Sequence, residues 1–180
     1  MVDWTIEVDK GKKVKIESIN FEGNENISSK KLRKKGFKNT KQKRFFAGIL
    51  KPSKLIKEKY EEDKHNLISY YNSLGYRDAK IISDTITRSD KGFDIKVKLE
   101  EGKKYYIGNI EFYGNTVFST ETLQRLLGYK KGDIYDAVGF NKKVGEDGGK
   151  DDDSDLKSLY MNSGYFFSNI TPIEKSVEGD

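Results

Sequence analysis

Apolar and polar residues alternate along the chain in short blocks, and the period of each block predicts its element. From Val14 to Glu22 (VKIESINFE) the apolar positions are Val14, Ile16, Ile19 and Phe21. Their phase shifts between Ile16 and Ile19, which predicts a strand carrying a bulge. Gly23-Asn24 ends it, since both residues tolerate positive φ. Ser28 is placed to cap a short helix through Lys35, with Ile27 as a staple, Leu32 facing inward and Gly36 closing it. A long helix is expected from Pro52-Ser53 to about Leu74, with Leu55, Ile56, Tyr60, Leu67, Tyr71 and Leu74 near one stripe. Ala79 to Thr87 and Phe93 to Glu100 then read as two strands joined by a hairpin at Ser89-Asp90-Lys91-Gly92. The order is β-α-α-β-β, with two helices covering one face of a small sheet.

The same order is written twice. Shifted by 91 positions, residues 6–24 (IEVDKGKKVKIESINFEGN) fall on 97–115 (VKLEEGKKYYIGNIEFYGN). Eight of these 19 positions are identical, including Ile19, Phe21, Gly23 and Asn24 against Ile110, Phe112, Gly114 and Asn115. With a two-residue slip, Tyr71, Gly75 and Tyr76 fall on Tyr160, Gly164 and Tyr165. A repeat of this length implies a whole small domain per unit. In the second copy a strand is expected over Tyr105 to Tyr113 and a short helix from a Ser119 cap to Leu127, stopped at Gly128. The counterpart of the long helix is interrupted by Gly145, Gly148, Gly149 and an acidic run. A shorter helix over Asp155 to Asn162 and a strand over Phe166 to Ile173 complete it.

Composition narrows the class. The chain has 180 residues, 34% apolar and 35% charged, and no cysteine, which excludes a disulfide scaffold and a cysteine-based zinc site. Eleven Tyr and ten Phe supply the core formers of two small domains rather than one large core. No apolar run approaches the ~18 residues of a membrane-spanning helix, and the N-terminus is no signal peptide. Net charge is +5 but uneven: residues 11–104 carry 25 Lys/Arg against 13 Asp/Glu, and residues 105–180 carry 8 against 13. That split argues against one uniform nucleic-acid face.

Candidate chemistry is sparse. His65 stands alone among Glu61, Glu62, Asp63 and Lys64, which reads as a solvated helix face. Asp151-x-Asp153-x-Asp155 copies the start of a calcium loop, but Leu156 replaces the required Gly and Asn162 the final Glu. Gly148-Gly149-Lys150 lacks the first Gly of a phosphate loop, where Val144 stands. No Ser/His/Asp or Cys/His set can be assembled. Lys41 to Phe46 (KQKRFF) mixes basic and aromatic residues, as an RNA contact would, but reads better as a connector between helices. Gly23-Asn24-Glu25-Asn26 lacks the second Gly of a GXXG clamp. No catalysis, cofactor or metal is expected, and a basic nucleic-acid module is the weaker alternative.

The pair of copies resembles tandem POTRA domains, an α+β fold in which two helices pack on a three-stranded mixed sheet. The residues that carry the resemblance are Ile19-x-Phe21-x-Gly23-Asn24, Tyr71-x-x-x-Gly75-Tyr76, Glu101-Gly102-Lys103 and their second copies. The run from Gly164 onward, GYFFSNITPIEKSVEGD, is similar to BamA-like proteins of Bacteroidetes-type bacteria. The resemblance implies a non-enzymatic periplasmic arm of an outer-membrane β-barrel assembly factor. Such an arm would bind unfolded outer-membrane proteins, dock accessory lipoproteins and reach the membrane through a C-terminal barrel. The arm of a two-partner secretion or translocation barrel is the near alternative. The implied contact is β-augmentation on the edge formed by the second strand, here Ala79, Lys80, Ile81, Ile82, Ser83, Asp84 and Thr85. Lys80 and Asp84 would discourage uncontrolled pairing there.

The repeat register assigns residues 1–10 to the third strand of a preceding domain, 11–101 to a complete domain and 102–180 to a domain without its third strand. The chain is therefore expected to continue in both directions, with a further domain upstream and a barrel downstream. The last domain is expected either to fray or to take Trp4 to Val8 of another copy, a head-to-tail contact.

Overall fold

The computed structural model describes residues 2–9, 15–42, 54–146 and 154–177. Contacts divide it into two compact units, Met1–His65 with Ile81–Leu99, and Asn66–Lys80 with Glu100–Asp180. Pro52-Ser53, the basic stretch from Lys43 to Phe46, the phosphate-loop look-alike and Asp151 and Asp153 lie outside the described residues.

The first unit is built on a three-stranded sheet ordered β1-β3-β2, with β1 Ile16–Glu22, β2 Lys80–Arg88 and β3 Phe93–Glu100. β1 runs parallel to β3, and its register breaks between Ile16 and Ser18, so Glu17 is the bulge that the phase shift predicts. β3 alternates between buried Ile95, Val97 and Leu99 and exposed Lys96, Lys98 and Glu100, as a strand with one covered face must. The hairpin between β2 and β3 closes through reciprocal hydrogen bonds of Ser89 and Gly92. Helix α1, Ser29–Lys35, packs on β1 through buried Leu32. Phe37 follows it, fully buried, and meets Phe21 and Tyr60 edge-on at 5.3 and 5.9 Å. Each such buried aromatic or aliphatic side chain contributes roughly 1.5–3 kcal/mol.

Helix α2 is Lys57–Asn72, shorter at its start than the stripe predicts; Leu55 and Ile56 precede it. Its buried positions are Tyr60, Asp63, Leu67 and Tyr71. Asp63 thus corrects the reading of residues 61–65 as wholly solvated, whereas His65 is exposed. The reason is a loop that needs an acceptor: the Asp63 carboxylate takes the Asn39 and Thr40 backbone N–H groups and the Asn39 side-chain amide. Buried N–H groups require a partner, and a carboxylate serves two at once.

The second unit packs α3 Thr120–Leu127, α4 Ala137–Val144 and α5 Leu156–Asn162 against one another around Leu123, Leu127, Val144 and Leu156. Ser119 caps α3 by accepting from Thr122 N–H, and Asp155 caps α5 by accepting from Ser158 N–H. The repeated motifs fold alike. Asn24 donates to Ile27 O and Ser29 Oγ, and Asn115 donates to Phe118 O and Thr120 Oγ1. Ser28 itself makes no side-chain cap, so this asparagine organises the first turn instead. Tyr71 and Tyr76 meet edge-on at 5.9 Å, and Tyr160 and Tyr165 do so at 6.2 Å.

The predicted strands of the second copy do not form a sheet. Residues 105–107 pair instead with 132–135, through Tyr105 and Tyr135, Ile107 and Asp133, and Gly132 and Ile107. Beyond them 108–113 and 166–173 are irregular. In the first copy β3 is central, so β1 and β2 both depend on it. Among the described residues of the second copy, no strand runs beside 108–113 and 166–173 as β3 runs beside β1 and β2.

Candidate functional site: the open edge of the sheet

With β3 in the centre, the sheet has two margins, and they differ. On β1 both backbone groups of Ile19 are engaged on the outer margin. Its N–H donates to Gln42 Oε1 at 3.2 Å, and its carbonyl accepts from Arg33 Nη1 at 3.0 Å. Two side chains thus stand where another strand would pair. On β2, among the described residues, no hydrogen bond from outside the sheet reaches the backbone of Lys80–Arg88. Its side chains are exposed except for the half-buried Ile81.

The predicted edge residues fall on this strand with one exception. Ala79 is buried and sits one position ahead of β2, its N–H turned back to Tyr76 O. Lys80, Ile81, Ile82, Ser83, Asp84 and Thr85 lie in β2, which continues through Ile86, Thr87 and Arg88. The sequence puts the end of this strand at Thr87, one residue short of Arg88, and the residues expected to pair stop within it at Thr85. Lys80 pairs with Glu100 at 3.2 Å. Asp84 accepts from the Tyr60 hydroxyl at 2.8 Å and from Lys64 at 3.3 Å. Burial first, and then this bond to Asp84, push the Tyr60 hydroxyl well above the usual phenol range. Ile82 and Ile86 share the face of Asp84 by the two-residue period and remain 48% and 39% exposed. The arrangement offers a row of backbone donors and acceptors flanked by two apolar side chains and no reactive group. Among the described residues no cluster of three potential metal ligands exists.

The second copy offers no equivalent. Position 83 corresponds there to Pro172, which has no N–H to give a ladder. That unit instead ties the turn after α2 into itself. Tyr71 donates to buried Glu101 at 2.8 Å, Tyr105 N–H to Gly75 O, the Tyr105 hydroxyl to Asp78 at 2.6 Å, and Arg77 pairs with Glu174.

The duplicated module, its β1-β3-β2 sheet and its repeated Gly-Asn and Tyr-Gly-Tyr turns place the chain in the POTRA family, to which it belongs. The profile of that family, the surface antigen variable number repeat, matches residues 14–102 and again 105–180. The relatives are BamA-like. A putative outer membrane protein assembly factor of Treponema pallidum is 32% identical over 149 residues, covering 79% of this chain and 17% of its own. The outer membrane protein assembly factor BamA of Neisseria meningitidis is 27% identical over 173 residues, 94% of this chain and 20% of its own. The chain therefore spans about a fifth of the length of the curated relatives it matches. A crystal structure of Haemophilus influenzae BamA POTRA3-5 shares the fold, with a TM-score of 0.52 at 20% identity over 76% of this chain and 55% of that one.

Proposed function

We propose that this chain is the periplasmic POTRA segment of an outer-membrane β-barrel assembly factor. It would hold unfolded outer-membrane proteins by adding one of their strands to β2 and would dock accessory lipoproteins. The observation that carries this reading is the asymmetry of the sheet: β1 is stoppered at Ile19, while β2 presents a free backbone beside Ile82 and Ile86. An extended segment is recognised through its main chain, and alternate side chains add preference, which suits clients of varied sequence. The edge does not react with the client; it binds and releases it. The names of the relatives favour an assembly factor over a secretion barrel. Among the described residues no helix is long and apolar enough to cross a membrane; in this reading the whole protein would reach the membrane through a barrel.

The test is a titration of isotope-labelled chain with an extended peptide of alternating apolar and polar residues. Amide shifts centred on Lys80–Arg88, with β1 amides unmoved, are expected. Affinity should change little with salt, whereas a nucleic-acid or purely ionic mode would weaken steeply. Successive residues of a strand point their N–H groups to opposite sides. Of Ile82→Pro and Ser83→Pro, one should therefore abolish binding while the chain stays folded. Shifts centred elsewhere, or binding untouched by both substitutions, would refute the assignment.

A further inference from the structure

The hairpin fixes which backbone groups of β2 face outward. Ser89 N–H donates to Gly92 O at 2.8 Å, and Gly92 N–H returns a bond to Ser89 O at 3.3 Å. In an antiparallel ladder such doubly bonded pairs alternate with pairs whose N–H and C=O groups turn away from each other. Back from Ser89 in steps of two, Thr87 and Thr85 therefore give their groups to β3, while Arg88, Ile86 and Asp84 turn theirs to the open margin. Two contacts agree with this frame. Phe93, which faces Arg88, sends its N–H to Lys15 O on the β1 side. Asp84, which faces Val97, reaches the Tyr60 hydroxyl of α2, so it lies on the helix-covered face, as buried Val97 does.

The outward groups thus belong to residues whose side chains share one face, and that row is charged at both ends and apolar between. Asp84 is the negative end. Its Oδ2 accepts from Tyr60 and Lys64, and its Oδ1 accepts no hydrogen bond among the described residues. Lys64 also pairs with Glu61 at 2.9 Å, so one positive charge is shared by two carboxylates and the spot stays net negative. Ile86 is exposed in the middle. Arg88 is the positive end; it is exposed, and among the described residues its guanidinium pairs with no carboxylate. The other face of the strand shows exposed Thr85 and Thr87.

We propose that β2 selects extended client segments in which an acidic and a basic residue stand two positions to either side of an apolar one, with polar residues between. Such selection rests on β2 being the client edge and defines what that edge reads. Residues directly opposite on paired strands point to the same face. The client's basic residue then meets Asp84, its apolar residue covers Ile86 and its acidic residue meets Arg88. Thr85 and Thr87 keep the other face polar. Strands of membrane barrels alternate in this way, apolar on one face and polar on the other. Like charges directly opposite repel, so a carboxylate against Asp84 or a cation against Arg88 is disfavoured. Asp84 and Arg88 are in this sense specificity-determining residues.

Two measurements test this. In the free chain, amide exchange should be slow at Thr85 and Thr87 and fast at Asp84, Ile86 and Arg88, which checks the frame without a client. Three peptides of alternating polar and apolar residues are then titrated into the isotope-labelled full chain at about 0.15 M salt, where long-range fields are screened. They differ only in the two residues that flank a central valine on its own face: one Glu and one Lys, two Glu, or two Lys. The mixed peptide should bind about two- to fivefold tighter than either of the others. Asp84→Asn should erase the preference for the mixed peptide over the two-Glu peptide. Arg88→Glu, at an exposed residue, should make the two-Lys peptide the tightest; circular dichroism would verify that both variants stay folded. Peptides that shift amides elsewhere than Lys80–Arg88 would refute the client edge itself. Equal affinities of the three peptides at that edge, a preference unmoved by Arg88→Glu, or slow exchange at Asp84 and Ile86 with fast exchange at Thr85 and Thr87 would overturn the selection and leave the edge standing.

Discussion

Gly23 and Gly114 allow the same substitution to be made twice in one molecule with opposite surroundings. Both hold a positive φ, so an alanine at either position carries the left-handed penalty of about 1–2 kcal/mol. For Gly114→Ala that is the whole cost, because the new methyl enters open space. For Gly23→Ala the methyl would sit 2.1 Å from the carbonyl oxygen of Leu99, in a strand with a neighbour on each side. An ordinary contact needs roughly one more ångström, and β3 cannot yield that much without stretching its ladder. Overpacking of this kind costs about 1–3 kcal/mol, which brings the total for Gly23→Ala to about 2–5 kcal/mol. Urea unfolding followed by circular dichroism measures both. Gly23→Ala should be less stable than Gly114→Ala by about 1–3 kcal/mol. In native-state amide exchange the loss should appear in Phe93–Glu100. Two variants of equal stability, or a larger loss from Gly114→Ala, would contradict the assignment of β3 as the strand that requires this glycine.

Three further outcomes are expected. Asp63→Ala strips the acceptor from the Asn39 N–H and the buried Thr40 N–H and should cost about 3 kcal/mol, whereas Glu61→Ala on the exposed side should cost under about 0.5; a small loss at Asp63 in urea titrations would show that the loop finds other partners. Tyr60 and Tyr71 are held neutral, first by burial and then by their bonds to Asp84 and Glu101, so their contribution is complete below the unfolded phenol value of about 10 and fades as pH climbs beyond it. The urea midpoint should therefore fall above about pH 10, less steeply in Tyr60→Phe/Tyr71→Phe; equal slopes would refute the linkage. Arg77→Ala, which breaks an exposed pair with Glu174, should change stability by under about 1 kcal/mol, and a larger drop would mean that the guanidinium is not solvated as the structure has it.

Much of the first repeat was legible because its signals are local. The bulge at Glu17, the glycine turn at Gly23 and the hairpin at Ser89 each follow from a few adjacent residues. The repeat also transferred the Asn24 and Tyr71–Tyr76 turns onto Asn115 and Tyr160–Tyr165 without change. Asp63 was hidden because a run of charges does not reveal which one faces a loop 23 residues earlier in the chain. The strands at 105–113 and 166–173 failed for a different reason. Their patterns are those of strands, but pairing is a property of a neighbour, and the pattern says nothing about whether that neighbour is present. The edge itself needed both sources: sequence placed β2, while the engagement of Ile19 by Gln42 and Arg33 could only be seen in three dimensions.

A sheet stoppered at Ile19 can widen in one direction only. A strand that joined β2 would become the new boundary, so a later arrival would meet its predecessor and not the protein. Arrivals would queue outward in the order in which they came, each templated by the last, while the protein itself touches a single guest.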